Sequence, residues 1–128
     1  MALRFKWDDD SHQIMLYIVE GDWNWRDYHA CARASSFSLN YGGENPVHSL
    51  IDFSASTRLD FPAGALGHMR TFGRKIHPRF SGRSAVVALP EKIALLLDLD
   101  ENRQMETIDG VLTVADSLEE ARHILLGS

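Results

Sequence analysis

Six histidines are the residues of this chain best suited to bind a metal ion. They stand at His12, His29, His48, His68, His77 and His123. None lies four residues from another, as two zinc ligands on one helix would, and the chain has no pair of cysteines to complete a zinc site. The pattern therefore predicts no metal site and no other cofactor, with the imidazoles scattered over the surface or partly packed.

Cys31 and Asp52 are the other candidates for catalytic or ligand-binding chemistry. Cys31 is the single cysteine, and its position in mid-helix beside apolar residues predicts a small buried side chain rather than a nucleophile. Asp52 falls at the carboxyl end of a predicted strand, the edge at which open α/β sheets bind ligands. The pattern favours an anchoring role for Asp52 in its loop, with a ligand or partner contact as the alternative. Because no catalytic constellation is found, we expect a protein without enzymatic activity.

Three indoles, Trp7, Trp23 and Trp25, lie in the first fifth of the chain. Trp25 is expected to pack inward from a helix. Trp7 and Trp23 stand near strand ends and turns, where a tryptophan can line a pocket or a contact surface because it combines a large area with one polar group. Core packing of all three is the favoured interpretation, and a ligand pocket built by the three indoles is the alternative.

The elements that must position these residues follow from hydrophobic periodicity and turn signals. Apolar residues alternate on both sides of residues 8–11, which predicts a β-hairpin. Asn24 is a candidate N-cap for a helix over residues 25–38, and Ser117 with Glu120 forms a capping box for a closing helix through Leu126. Strands are predicted over residues 47–53, 84–89 and 111–114, a loop over 54–60, a helix over 62–76 and another from Pro90. The last has no clear end between Asp98 and Glu106, where helix and loop both remain open.

The predicted order is β-β-α-β-α-β-α-β-α in one domain of 128 residues. Helices that alternate with strands require crossover connections, which place the strands in a largely parallel sheet. We therefore expect the α/β class, with a mostly parallel sheet of four to five strands, helices packed on it, and one antiparallel edge from the first hairpin.

Three segments carry a resemblance to a known family. They are Gly21-Asp-Trp-Asn-Trp-Arg-Asp-Tyr28, the strand residues Leu50-Ile-Asp-Phe53, and the closing helix Asp116-Ser-Leu-Glu-Glu-Ala-Arg-His-Ile-Leu125. With the element order, they resemble the STAS fold (sulfate transporter and anti-sigma factor antagonist), especially the bacterial proteins related to the sporulation anti-sigma factor antagonist. The resemblance covers nearly the whole chain and implies a non-enzymatic module of bacterial regulation that works by binding.

The resemblance also implies a serine that is phosphorylated at the start of the helix after the central strand. Here that helix opens with Asp60-Phe-Pro-Ala-Gly-Ala-Leu-Gly67, and a Phe-Pro-Ala-Gly run replaces the family's Asp-Ser-Ser-Gly motif. The serine switch is therefore not expected, and Ser54, Ser56 and Thr57 are interpreted as ordinary loop hydroxyls. Some related folds carry lipids, so the resemblance permits a second function, the transport of a small apolar ligand between sheet and helices.

The net charge of −5 is unevenly distributed along the chain. Residues 1–67 carry −4, residues 68–90 carry +5 and residues 91–128 carry −6. The basic block contains Arg70, Arg74, Lys75, Arg79 and Arg83. It is interpreted as a solvated helix face paired with the acidic last third, and the alternative is a docking surface for a partner protein or a second copy of the chain. The alternative predicts contacts at Asp52, Ser54, Arg70, Arg74 and Lys75.

Composition also bears on partners and compartment. An acidic chain does not have the basic balance of a nucleic-acid-binding domain. Its longest apolar stretches are far shorter than the roughly 20 residues of a membrane-spanning helix, and its N-terminus turns acidic before the apolar core of a signal peptide can form. Since a single cysteine cannot form an intramolecular disulfide, the sequence predicts a cytoplasmic protein that neither binds nucleic acid nor inserts into a membrane.

Overall fold

The structure is a computed structural model and describes residues 3–8, 12–21, 23–40, 43, 45–56, 65–71, 77–87, 97 and 99–127. The described strands are β1 (Leu3–Trp7), β2 (Ile14–Gly21), β3 (Val47–Ser56), β4 (Phe80–Val87), β5 (Gln104–Glu106) and β6 (Val111–Ala115). The described helices are α1 (Trp25–Ser38), α2 (Ala65–Met69) and α3 (Leu118–Leu126). The chain is therefore of the α/β class.

All six described strands form one mixed sheet in the order β1-β2-β3-β4-β6-β5. Its four central strands are parallel, whereas β1 runs antiparallel to β2 and β5 antiparallel to β6. The expectation of four to five strands with one antiparallel edge was thus wrong in detail. The sheet has six described strands, and both of its edges are antiparallel.

The alternation of side chains along β2 shows how the helices cover the sheet. Met15 and Tyr17 belong to one core cluster, which also contains residues of α1 and α2. Ile14 and Leu16 belong to a second cluster with residues of α3. Because successive side chains of a strand point to opposite faces, α1 and α2 lie on one face of the sheet and α3 lies on the other.

Both predicted helix caps are present. The Asn24 side chain accepts a hydrogen bond from the backbone N–H of Asp27 at 2.9 Å, and α1 begins and ends where the sequence predicted. The Ser117 hydroxyl accepts from Glu120 N–H at 3.1 Å. The Glu120 carboxylate accepts from the N–H of Asp116 at 2.9 Å, one residue before the position expected in a capping box.

Three predicted boundaries were wrong. β3 continues to Ser56, through the first residues of the predicted loop, because Ala55 and Ser56 still pair with β2. β4 begins at Phe80, four residues earlier than predicted, and its polar residues alternate with buried ones. α2 ends at Met69 and not at the predicted Ile76, and its end is closed by the N–H and hydroxyl of Thr71, which both donate to the carbonyl of His68 at 3.0 and 2.6 Å. Its predicted start at Pro62 lies outside the described residues.

The charged segment that ends at Glu106 is a turn followed by a strand. Asp100 Oδ1 accepts hydrogen bonds from the N–H groups of Asn102 and Gln104, at 2.8 and 3.1 Å. These bonds close a turn in which Arg103 has a φ of 61°, and β5 follows directly. The start of the predicted third helix, at Pro90, lies outside the described residues.

Candidate functional site

A groove of about 860 Å³ lies beside the edge strand β5. Its walls come from the turn after α2, the segment that precedes β5, and the β5–β6 hairpin. The lining residues are Arg70, Leu99, Asp100, Gln104, Met105, Glu106, Thr107, Ile108, Gly110 and Val111. Of the described residues that the sequence proposed for partner binding, Arg70 is the one that lines the groove.

Arg70 lies in the turn that follows α2, and not on the helix as predicted. Its side chain is exposed, and its carbonyl accepts a hydrogen bond from the N–H of Ile108 at 2.8 Å. This bond fixes the end of α2 against the β5–β6 hairpin. The exposed Arg70 side chain and the apolar side chain of Ile108, which is 58% exposed, both line the groove.

A pair of histidines holds α2 against α1. His29 Nε2 lies 2.9 Å from His68 Nδ1, and the ring of His68 stacks on Trp25 with centroids 4.7 Å apart and planes 11° from parallel. Burial is the largest cause that lowers the pKa of His29, and the charges of His68 and Arg33 lower it further. No sequence pattern predicts this contact, since the two histidines are 39 residues apart.

The basic block is divided between structural and exposed roles. Arg79 donates to the carbonyls of Leu39 and Asn45, at 2.9 and 3.2 Å. Arg83 donates to the carbonyls of Leu125 and Ile124 at the end of α3, at 3.1 and 2.7 Å. These two guanidinium groups stabilise the ends of helices, where unpaired carbonyls accumulate.

The remaining proposed contact residues are dispersed. Asp52 is buried, and its carboxylate accepts a hydrogen bond from the N–H of Ser54 at 2.9 Å, so it anchors the backbone of β3. Ser54 is exposed. Arg74 and Lys75 lie outside the described residues. Arg70 and Arg74 were predicted to share one face of a helix, but Arg70 lies in the turn after α2.

Trp23 and Trp25 are buried in the same core cluster, whereas Trp7 is only partly buried. Trp23 is fully buried and packs edge-on against Trp25, with ring centroids 4.7 Å apart, and against Phe53 at 5.3 Å. Trp7 is half-buried and stacks on His12 at 4.5 Å. None of the three lines the groove beside β5, and a ligand pocket at the indoles stays a prediction.

Other residues that were candidates for catalysis or metal binding are buried or hydrogen-bonded within the fold. Cys31 is buried, and burial raises the pKa of its thiol to about 11, which disfavours the reactive thiolate. Within the described ranges, no three side chains of histidine, cysteine, aspartate or glutamate come together as metal ligands. His48 instead shares a hydrogen bond of 2.6 Å with the hydroxyl of Ser81.

One residue pair at the groove could have been found from the sequence. Asp109-Gly110 is typical of a tight turn, and it precedes the predicted strand at Val111. The N–H of Thr107 donates to the carbonyl of Gly110 at 3.0 Å, and the two loop residues of the hairpin are Ile108 and Asp109. The Asp109-Gly110 signal would therefore have indicated a strand before the turn, but with a pairing shifted by one residue from the observed one.

Comparisons with known proteins leave the family open. A scan against models of protein families finds no match, and a search of curated proteins finds no significant similarity. In the part of the chain that the structure describes, each helix is too short or too polar to cross a membrane.

Proposed function

We propose that this chain is a STAS-like module that acts by binding a partner protein, without enzymatic activity of its own. The observation that carries the proposal is the groove beside β5, in which the exposed Arg70 stands next to the exposed Ile108. A surface that combines a cation with an accessible apolar side chain offers both contact area and orientation to a partner.

The charges of the groove support a protein partner. Arg70 forms no ion pair with any described residue, and the same holds for the exposed Glu106, which also lines the groove. Two unpaired charges of opposite sign within one groove favour a partner with complementary charges.

The family assignment is part of the proposal. It is supported by the antiparallel first strand followed by parallel strands, by the Asn24 cap of α1 and by the Ser117 cap of α3. The family's phosphorylated serine has no equivalent in the sequence, so we propose binding that is not switched by a serine kinase.

Chemical cross-linking in the native host, followed by affinity purification, tests the proposal. Charge reversal by Arg70→Glu together with Arg74→Glu should lower recovery of the cross-linked partner at least about tenfold, because like charges then face each other at the surface. The melting temperature should not change. Arg26→Glu together with Arg33→Glu, the same charge change on two exposed residues of α1, is the matched control and should retain the partner. Unchanged recovery with the double variant would refute this surface.

A further inference from the structure

Strand β5 ends the described sheet, and its hydrogen-bonding pattern shows which backbone groups face outward. The N–H of Val114 donates to the carbonyl of Arg103 at 2.9 Å, and the N–H of Thr107 donates to the carbonyl of Gly110 at 3.0 Å. In an antiparallel pair, alternate residues turn their N–H and C=O groups toward the neighbouring strand. Arg103, Met105 and Thr107 therefore face β6, whereas Gln104 and Glu106 face away from the sheet.

Two of the outward positions along this edge already have partners. The N–H of Asp100 donates to the carbonyl of Gln104 at 2.8 Å, and the N–H of Gln104 donates to the Asp100 carboxylate at 3.1 Å. The N–H of Ile108 donates to the carbonyl of Arg70 at 2.8 Å. Glu106 lies between them, and its backbone N–H and C=O form no hydrogen bond with a described residue outside the hairpin.

We propose that an extended segment of the partner protein adds to the edge of β5 and pairs one of its residues with the backbone of Glu106. This inference rests on the proposed function and specifies how the groove is used. Strand addition at a free edge is a common mode of peptide recognition, in which main-chain bonds hold the segment and alternate side chains select it. Asp100 and Arg70 limit the pairing to the single residue between them.

The charges on the two faces of the sheet define the segment that fits. Met105 belongs to the core cluster that contains Met69 of α2, so the adjacent Glu106 projects its side chain to the opposite face. Arg70 follows Met69 in the chain and lines the groove. A segment that pairs with Glu106 should carry a basic residue directly opposite it and an acidic residue next in sequence, directed toward Arg70.

A second copy of this chain fits the edge less well. A two-fold pairing of β5 with itself around Glu106 would place two glutamate side chains opposite each other on one face. Like charges directly opposite each other destabilise a strand pair. We therefore assign the edge to a different polypeptide.

Selection from a displayed library of random 12-residue peptides tests the assignment with the full chain as target. Selected peptides should carry adjacent basic and acidic residues and should slow hydrogen exchange of the Glu106 amide at least about tenfold. Glu106→Pro removes the outward N–H, and proline is tolerated where an edge strand faces solvent. This variant should bind the peptides at least about tenfold more weakly, whereas Glu106→Gln, which keeps the N–H, should lose much less.

Exchanging the charge of Glu106 with that of the peptide residue opposite it tests the inference even if the Glu106→Pro variant does not fold. Glu106→Lys should weaken the selected peptides, and replacing their basic residue by glutamate should restore binding. Three results would overturn the inference: a library that yields no binder at this edge, peptides that leave the Glu106 amide unchanged, or a concentration-dependent dimer that Glu106→Pro abolishes. Loss of the native partner with Arg70→Glu but not with Glu106→Pro would refute strand addition and leave the proposed function intact.

Discussion

The imidazole rings of His29 and His68 share one hydrogen bond, 2.9 Å from Nε2 to Nδ1, which joins α1 to α2. One ring must donate and the other accept, so the contact requires that at least one of the two is neutral. Because Arg70 follows α2 directly, this bond connects the protonation of His29 to the position of Arg70 in the groove.

We expect the pH dependence of stability to report this contact. The pKa of His29 is lowered in the folded chain, so the unfolded chain binds more protons as the pH falls below about 6.5. The contribution of His29 is fully present above that pH and is lost as the pH falls toward its lowered pKa. The free energy of unfolding, measured by urea titration from about pH 7.5 to about pH 5.5, should fall less steeply for His29→Gln than for the unmodified chain. The exposed His123→Gln serves as control, and equal slopes for all three proteins would contradict the expectation.

The ion pair between Asp8 and Arg122 should contribute more to stability than the exposed pairs. Arg122 binds both oxygens of Asp8, at 2.7 and 2.8 Å, and the Asp8 side chain is only 5% exposed. Arg122→Ala leaves that carboxylate buried without this guanidinium, which should cost about 2 kcal/mol of unfolding free energy. Arg4→Ala breaks an exposed pair and should cost less than about 1 kcal/mol. Chemical denaturation distinguishes the two, and equal losses would contradict the difference.

Gly82 and Gly110 should not tolerate a side chain. A Cβ at Gly82 would collide with the carbonyl of Asp109, and one at Gly110 would collide with the carbonyl of Gly82, while Gly82 also has a φ of +86°. Either alanine substitution should cost about 3 kcal/mol, because backbone must move apart where β4 approaches the β5–β6 hairpin. Gly67→Ala, with open space around its Cβ and a place in α2, should be neutral or stabilising by up to about 1 kcal/mol. Melting curves of the three variants test this order, and a stable Gly110→Ala protein would contradict it.

The hydroxyl of Thr107, in the wall of the groove, should lower the stability of the chain. Its Oγ1 is buried without a hydrogen-bond partner among the described residues. Thr107→Val keeps the shape and removes the unsatisfied group, and should stabilise the chain by about 1 kcal/mol. Ser35→Ala is the contrasting variant, since the Ser35 hydroxyl bonds Tyr17 and the carbonyl of Ala32, both at 2.7 Å. It should destabilise by about 1–3 kcal/mol, and destabilisation by both variants would contradict the assignment of Thr107.

The sequence predicted well those features that depend on residues close together along the chain. The Asn24 cap, the bounds of α1 and the cap at Ser117 depend on contacts within a few positions, and the structure confirms them. β5 was not predicted because three residues in a charged segment carry no periodicity, and their strand conformation depends on pairing with β6.

Contacts between segments that are far apart along the chain could not be predicted from the sequence. His29 and His68 are 39 positions apart, and Arg70 meets Ile108 across a comparable separation. Arg79 and Arg83 belong to the basic block in the sequence, but the fold directs both to helix carbonyls. Charge patterning indicated a basic region, and only the tertiary structure distinguishes the exposed Arg70 from these structural arginines.

Hydrogen exchange across the whole chain, measured with and without the cross-linked partner, is the decisive test of partner binding at the groove. Binding there should slow exchange at Arg70 and from Glu106 to Ile108, with the largest effect at the outward-facing Glu106 amide. Protection confined to α3 or β1, with exchange unchanged along β5 and at Arg70, would contradict it.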